Sequence, residues 1–201
     1  MAVTRTQGID LNGRRPAIFF DRDGVLNEDL GFVHKPEQLQ WVAGAREAVS
    51  YLTKLGYLIF VVTNQSGIAR GFYGAEDVEK LHRVMQDNFK AFGGRIDAFA
   101  YCPHHPEAAT AAFRQHCQCR KPSPGMILDL MQKWPVDRRR SLLIGDQPRD
   151  LAAATAAGIA SALFRGGNLL EFLQAALREL DANNPIQSTT CQSEELDVCT
   201  A

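Results

Sequence analysis

Two aspartates stand two residues apart directly after the first apolar run of the chain. The run Pro16–Phe20 leads into Asp21, Arg22, Asp23 and Gly24. In an extended segment, side chains two residues apart point the same way, so Asp21 and Asp23 face one side, and Gly24 allows a sharp turn after them. A carboxylate pair suits a hard cation such as Mg²⁺, which prefers oxygen ligands. A loop that simply begins with solvated acids would show the same pattern.

Further polar groups follow other apolar runs. Thr63 and Asn64 follow the second run, Asp146 follows the fourth, and Lys121 stands just before a helix-like stretch. Ligands of open α/β sheets bind beyond the carboxyl ends of the strands, so we expect these groups to converge there. Carboxylates, a hydroxyl and a lysine are what phosphoryl transfer needs: a nucleophile, a metal site and fixed positive charge around the phosphoryl oxygens.

A cluster of thiols and imidazoles lies between Ala100 and Pro124, a span too rich in Cys, His and Pro for a helix. The candidate metal ligands are Cys102, His104, Cys117 and Cys119. Three sulfurs and one imidazole suit a closed, tetrahedral Zn²⁺ site. The pairs are CxH and CxC rather than the commoner CxxC. The spacing therefore leaves alternatives open: His105 or His116 could replace His104, or the thiols could merely be buried.

Five apolar runs alternate with helix-like stretches along the chain. The predicted strands are Pro16–Phe20, Tyr57–Val62, Ile96–Tyr101, Ser141–Ile144 and Ala160–Phe164. The predicted helices are Ala45–Leu55, Ala75–Phe92, Pro124–Trp134, Pro148–Ala157 and Leu169–Leu180. Runs that are apolar throughout indicate strands buried on both faces, and the alternation implies right-handed crossovers. We therefore predict an α/β fold with a doubly wound parallel sheet.

The length of 201 residues suits one compact domain. We predict this domain over residues 1–180, with the metal-binding loop at 102–119 and no separate cap domain. Residues 181–201 are polar and without a usable period, so they are predicted to form a disordered tail.

The charge balance gives no general attraction to nucleic acid or acidic membranes, because the net charge is −1. No segment approaches about 18 unbroken apolar residues, and the N-terminal stretch lacks an apolar core of signal-peptide length. We expect a cytoplasmic protein with no nucleic-acid or membrane partner, and a monomer by default.

The motifs resemble those of the haloacid dehalogenase superfamily, whose four motifs match Asp21-x-Asp23, Thr63, Lys121 and Gly145-Asp146. The resemblance is closer to the D-glycero-D-manno-heptose-1,7-bisphosphate 7-phosphatase family. The stretches that carry it are FFDRDGVLNEDLGFVH, VVTNQSGIARG, YCPHHP, FRQHCQCRKPSPGM and IGDQPRD, which together span about residues 16–165. The resemblance implies a Rossmann-like phosphatase fold with a small phosphorylated sugar as substrate, used in making nucleotide-activated heptose for lipopolysaccharide or S-layers.

The resemblance also implies residue roles. Asp21 would attack phosphorus and form an aspartyl phosphate, while Asp23 would act as general acid and then as general base. Mg²⁺ would bind the Asp21 carboxylate, the Asp23 backbone carbonyl and the Asp146 carboxylate. Thr63 and Lys121 would hold the phosphoryl oxygens. Zn²⁺ would be structural, and the resemblance favours His104 as its imidazole ligand.

The substrate-binding residues follow from the same resemblance and from local charge. They are Asp29, Leu30, Gly31, Phe32, Asn64, Gln65, Ser66, Arg70, Arg120 and Gln147. Gln147 is a departure from the family pattern, since a lysine is expected after the motif-four aspartate. Its presence removes one positive charge near the phosphate.

Two rival functions remain at this point. A histidinol-phosphate phosphatase shares the fold and a zinc loop. The SGIARG run and the twelve residues between His104 and Cys117 are, however, less like that group. A non-catalytic, zinc-stabilised binding module would not need the carboxylates, Thr63 and Lys121 together. A P-loop kinase is excluded, because the motif GxxxxGK[ST] is absent.

Overall fold

The structure is a computed structural model that describes Asp10 and residues 13–183. Its strands are β1 (Ala17–Phe20), β2 (Leu58–Asn64), β3 (Ala98–Cys102), β4 (Leu142–Gly145) and β5 (Ala160–Leu163). Its α-helices are α1 (Ala45–Lys54), α2 (Ser66–Ala69), α3 (Ala75–Ala91), α4 (Gly125–Lys133), α5 (Pro148–Ala157) and α6 (Leu169–Asn183). Short 3₁₀ turns lie at Pro36–Gln38, Ala111–Phe113 and Arg138–Arg140.

The five strands form one parallel sheet in the order β3-β2-β1-β4-β5. From β1 the chain adds β2 and β3 on one side of the sheet, and it then crosses back to add β4 and β5 on the other side. The order therefore reverses between β1 and β4, which makes a crevice at the carboxyl ends of these strands. The register pairs Phe20 with Ile144, and the Asp21 N–H donates to the Ile144 carbonyl at 2.9 Å.

Both faces of the sheet are covered, as predicted for a doubly wound fold. Alternate residues of β1 enter two separate cores: Ile18 and Phe20 pack with α1, α3 and α6, while Ala17 and Phe19 pack with α4 and α5. All four side chains are fully buried. Burial of a large apolar side chain such as Phe19 contributes about 1.5–3 kcal/mol. The central strand is therefore held by packing on both faces, and so is the start of the Asp21–Gly24 segment that follows it.

Every predicted strand and helix is present, with ends displaced by a few residues. Helix α2 was not predicted, and β2 continues through Thr63 and Asn64 instead of ending before them. Helix α6 continues to Asn183, slightly past the predicted domain end. The rest of the predicted tail, residues 184–201, lies outside the described residues.

Residues 103–124 form the long predicted loop between β3 and α4, and no separate cap domain is present within residues 13–183. No helix in that range is both long and apolar enough to cross a membrane.

Candidate active site

The carboxyl ends of the central strands open into a cavity of about 300 Å³. Most of the predicted site residues line it: Asp21, Asp23, Asp29, Gly31, Phe32, Thr63, Asn64, Gln65, Ser66 and Asp146. Tyr73 and Arg149 also line it and were not predicted. Leu30, Arg70, Arg120 and Gln147 are outside this lining. Lys121 is buried beneath the cavity, against Asp21.

A buried lysine joins two of the carboxylates. The Lys121 ammonium lies 3.0 Å from Asp21 Oδ1 and 2.7 Å from Asp150 Oδ1, and it donates to the Val62 carbonyl at 2.8 Å. Asp150 is fully buried and also accepts the Gln147 N–H at 3.0 Å. Asp150 therefore fixes the position of the lysine, a role that its place four residues after Asp146 did not reveal.

Burial raises the pKa of Asp21 to about 6, opposed chiefly by the positive charge of Lys121. The negative charges of Asp150 and Asp23 raise this pKa further. A cation bound beside Asp21 would favour the ionised carboxylate, which is the nucleophilic form.

The donor groups around Asp21 fit Mg²⁺. Carboxylate oxygens of Asp21, Asp146 and Asp150 lie within 4.8 Å of one another, and all three are hard oxygen ligands. Gly24 is required by this arrangement, because its φ is 81° and a Cβ there would lie 2.6 Å from Asp146 Oδ2. The Gln147 side chain donates to the same Asp146 oxygen at 2.9 Å. Gln147 thus contacts a candidate metal ligand and does not line the cavity.

Asp23 is held by several donors. Asn27 Nδ2 donates to its Oδ1 at 2.9 Å, and Gln65 Nε2 donates to its Oδ2 at 3.0 Å. Gln65 also donates to Thr63 Oγ1 at 2.9 Å and accepts the Tyr73 hydroxyl at 2.8 Å. This network links the end of β2 to the acid that follows β1 and fixes the Thr63 hydroxyl at the cavity.

The asparagine after Thr63 ties β2 to the segment that carries the lysine. Asn64 Nδ2 donates to the Lys121 carbonyl, and the Lys121 N–H donates to Asn64 Oδ1, both at 3.0 Å. Asn64 therefore has a positional task in addition to lining the cavity.

The mouth of the cavity carries exposed aromatic side chains. Phe32 is 43% exposed, has a φ of 54°, and contacts Phe72 edge-to-face with centroids 4.8 Å apart. Such a backbone conformation is uncommon for a residue other than glycine and is typical of functional loops. Leu30, in the same loop, is 53% exposed.

Three arginines surround the rim on the side of the long loop. Arg120 donates to the His104 carbonyl at 3.3 Å, Arg70 lies 3.4 Å from His105 Nε2, and Arg149 lines the cavity. Within residues 13–183 none of the three arginines forms an ion pair with a carboxylate. Burial lowers the pKa of Arg120, and the charges of Arg149 and Arg70 lower it further. The rim can therefore accept an anion.

The four predicted zinc ligands converge. The three sulfurs are 3.2–3.5 Å apart, and His104 Nδ1 is 3.3 Å from Cys119 Sγ and 3.8 Å from Cys102 Sγ. A tetrahedral shell with Zn–S bonds of about 2.3 Å needs separations of this order. Among the described residues, His104 completes the cluster, while His105 and His116 lie outside it. The donor set fits Zn²⁺.

A family model described as HAD-hydrolase-like matches residues 118–186. The chain is 47% identical over 167 residues to the D-glycero-beta-D-manno-heptose-1,7-bisphosphate 7-phosphatase of Rhodopseudomonas palustris, covering 83% of this chain and 93% of that protein. It is 42% identical over 144 residues to the enzyme of the same name from Escherichia coli K12, covering 72% and 75% of the two chains.

A solved structure is also similar. It is the D,D-heptose 1,7-bisphosphate phosphatase from B. bronchiseptica, complexed with magnesium and phosphate. The TM-score is 0.69 and the identity 36%, over 80% of this chain and 86% of that one. The resemblance noted from the motifs is confirmed, and a non-catalytic binding module is set aside. This chain belongs to the haloacid dehalogenase superfamily and, within it, to the D-glycero-D-manno-heptose-1,7-bisphosphate 7-phosphatase family of phosphoric monoester hydrolases.

Proposed function

We propose that this chain is a Mg²⁺-dependent phosphatase that removes the 7-phosphate of D-glycero-D-manno-heptose 1,7-bisphosphate. The observation that carries the proposal is the buried Asp21 carboxylate at the cavity floor, 3.0 Å from the Lys121 ammonium and grouped with Asp146. The relatives are named for the β anomer of this bisphosphate, which supports both the substrate and its anomeric form.

The reaction has two steps. In the first, an Asp21 oxygen bonds to phosphorus while the bond from phosphorus to the sugar oxygen breaks, and that oxygen keeps the electron pair and takes a proton from Asp23. In the second, water attacks the aspartyl phosphate, Asp23 takes the proton of the water, and Asp21 is regenerated. Splitting the reaction in this way replaces one difficult displacement by two easier ones.

Fixed groups of the chain hold the reacting phosphoryl group. Thr63 and Lys121 bind its oxygens, and the positive charge of Lys121 is fixed in place because Asp150 and Val62 hold the ammonium. The Asp21 and Asp146 carboxylates and the Asp23 carbonyl are the residues that would hold Mg²⁺. When bound, Mg²⁺ neutralises charge that otherwise repels a carboxylate from a phosphate.

The sugar and its second phosphate would be bound at the rim. Asp29, Gly31, Phe32 and the turn from Asn64 to Ser66 would face the sugar, with Leu30 beside them. Arg70 and Arg120, which lack carboxylate partners within residues 13–183, would face the 1-phosphate. Arg149 would restore the positive charge that Gln147 lacks.

The cysteine cluster would bind a structural Zn²⁺ that positions the rim. Arg120 and Lys121 directly follow Cys119, so the cluster fixes the start of the segment that supplies both cations. The product, a heptose 1-phosphate, is the kind of compound that a nucleotidyl transfer would consume. We accordingly place the reaction in the synthesis of nucleotide-activated heptose in the cytoplasm.

The test is kcat/KM with Mg²⁺ for the two anomers of the heptose bisphosphate, histidinol phosphate and fructose 1,6-bisphosphate. The β-heptose bisphosphate should be preferred, and chelation of Mg²⁺ should stop turnover reversibly. Arg120→Ala should lower kcat/KM for the bisphosphate by about ten- to a hundredfold, typical of one lost charge-assisted contact. It should have a smaller effect on a small generic phosphate ester. Equal hydrolysis of histidinol phosphate would refute the substrate while leaving the phosphatase class in place.

A further inference from the structure

Arg22, the residue between the two aspartates of the DRDG motif, is the largest fully buried side chain among the described residues. It does not line the cavity. Its guanidinium brings a positive charge into a buried region, which is unfavourable unless its N–H groups find strong acceptors. Its partners therefore show what it does there.

The strongest of these partners is Asp23. Arg22 Nη2 contacts Asp23 Oδ1 at 3.0 Å and Oδ2 at 2.9 Å, and Arg22 Nε donates to Oδ1 at 3.2 Å. The planar guanidinium thus contacts both oxygens of one carboxylate. This geometry fixes the plane of the carboxylate as well as its position.

The guanidinium is itself anchored on the protein side. Its Nη2 donates to the Val33 carbonyl, and its Nη1 lies 3.5 Å from His82 Nε2. His82 is buried in α3 and stacks on Phe99 with centroids 4.5 Å apart. Burial and the charge of Arg22 lower the pKa of His82 to about 3, so the ring is neutral and can accept from Arg22. A loop carbonyl and a helix side chain, which itself stacks on strand β3, together hold the guanidinium.

We propose that Arg22 is a positioning residue that orients the Asp23 carboxyl for proton transfer to the leaving sugar oxygen and, later, from the attacking water. This inference rests on the proposed function, since it assumes that Asp23 is the acid and base of that reaction. Because Arg22 contacts both oxygens of Asp23, one oxygen can carry the proton while the guanidinium still holds the other. The orientation is then kept in both protonation states.

The property to measure is how strongly the first step depends on the proton that Asp23 gives to the leaving group. When the Asp21–phosphorus bond forms and the ester bond breaks, an alkoxide leaving group needs the proton of Asp23, whereas a p-nitrophenolate is stable without it. A badly oriented Asp23 therefore slows sugar phosphates much more than aryl phosphates. General acid catalysis contributes about 10²- to 10⁴-fold, and small misplacements forfeit a large part of it.

The experiment compares kcat/KM for the heptose bisphosphate with kcat/KM for p-nitrophenyl phosphate in wild type, Arg22→Lys, Arg22→Met, Asp23→Asn and Arg22→Met/Asp23→Asn. The ratio of the two values is measured on one preparation, so it is independent of the fraction of molecules that are folded. Arg15→Met is the matched control, because Arg15 donates to the carbonyls of Gly56 and Tyr57 away from the cavity.

The expected result is a fall of about tenfold or more in this ratio for Arg22→Met, a smaller fall for Arg22→Lys, and no change for Arg15→Met. In the Asp23→Asn background, Arg22→Met should change the ratio by less than about twofold. An unchanged ratio in both Arg22 variants, or an undiminished effect without Asp23, would overturn the positioning role. Full activity of Asp23→Asn on the bisphosphate would instead refute the proposed reaction itself.

Discussion

The ammonium group of Lys121 forms ion pairs with the Asp21 and Asp150 carboxylates and donates a hydrogen bond to the Val62 carbonyl. A buried lysine with a single acceptor would tend to lose its proton or swing away. With Asp150 on its far side, the Lys121 ammonium is held next to Asp21. The fixed positive charge that phosphoryl transfer requires thus depends on a carboxylate that does not line the cavity.

Asp150→Asn should weaken both stability and turnover, because the amide replaces the negative charge that faces a buried ammonium. We expect a loss of about 1–3 kcal/mol in the free energy of unfolding, together with a fall in kcat. Urea unfolding and steady-state kinetics measure the two effects. Asp129→Asn removes only an exposed pair with Lys133 and serves as the control, with a change of less than about 0.5 kcal/mol. A variant as stable and active as the control would contradict the role given to Asp150.

Asp21→Asn should abolish turnover, because an amide cannot form the acyl phosphate. The expected loss in kcat exceeds about a thousandfold, since a whole covalent route is removed. Phosphate release from the heptose bisphosphate is the measurement. The native fold should persist, as shown by an unchanged circular dichroism spectrum. Ordinary turnover by a folded Asp21→Asn protein would rule out the nucleophile.

At the level of elements, the sequence predicts well what local patterns determine. The strand β1 and the helix α5 were predicted nearly to the residue, because apolar runs and the Pro and Gly at the two ends are local signals. Helix α2 was missed, since a four-residue helix has no period to detect. Polar groups at strand ends converged as expected, because parallel strands bring their carboxyl ends to one edge.

Tertiary burial was not predictable in the same way. Arg22 and Asp150 look like solvated charges in the sequence, yet both are fully buried. Their burial depends in part on partners far along the chain, His82 for Arg22 and Lys121 for Asp150, which no local pattern pairs with them. Arg149 was not predicted, because in the sequence it looks like any other solvated charge in the first turn of a helix.

The long loop between β3 and α4 should depend on its metal. His104→Ala or Cys119→Ser should lower the zinc content and the melting temperature together, because loss of a ligand removes metal-coupled folding energy. His105→Ala and His116→Ala are the matched controls and should keep about one zinc per chain, since both rings lie outside the cluster. Elemental analysis and thermal unfolding are the measurements. Wild-type protein that is fully stable without metal would refute a structural zinc site.

For the whole molecule, two buried groups should make stability depend on pH in opposite directions. His82 has a native pKa of about 3, below its ordinary 6.5, so its contribution is present above 6.5 and is lost as the pH falls toward 3. Asp21 has a native pKa of about 6, above its ordinary 3.8, so its contribution is present below 3.8 and is lost as the pH rises through 6. Without Mg²⁺ bound beside Asp21, the two effects partly cancel, so a single stability curve would hide either one.

A difference between two proteins isolates the histidine, because Asp21 is present in both. His82→Gln keeps an acceptor for Arg22 but cannot titrate. As the pH falls from 7 to 5, the free energy of unfolding of the wild type should fall relative to this variant by about 2 kcal/mol. The reason is that His82 binds a proton in the unfolded chain but not in the native chain over this range. Urea unfolding at several pH values, without added Mg²⁺, gives both curves. If the two proteins showed the same pH dependence, His82 would bind its proton as readily in the native as in the unfolded chain. The assignment of a neutral ring facing Arg22 would then be wrong.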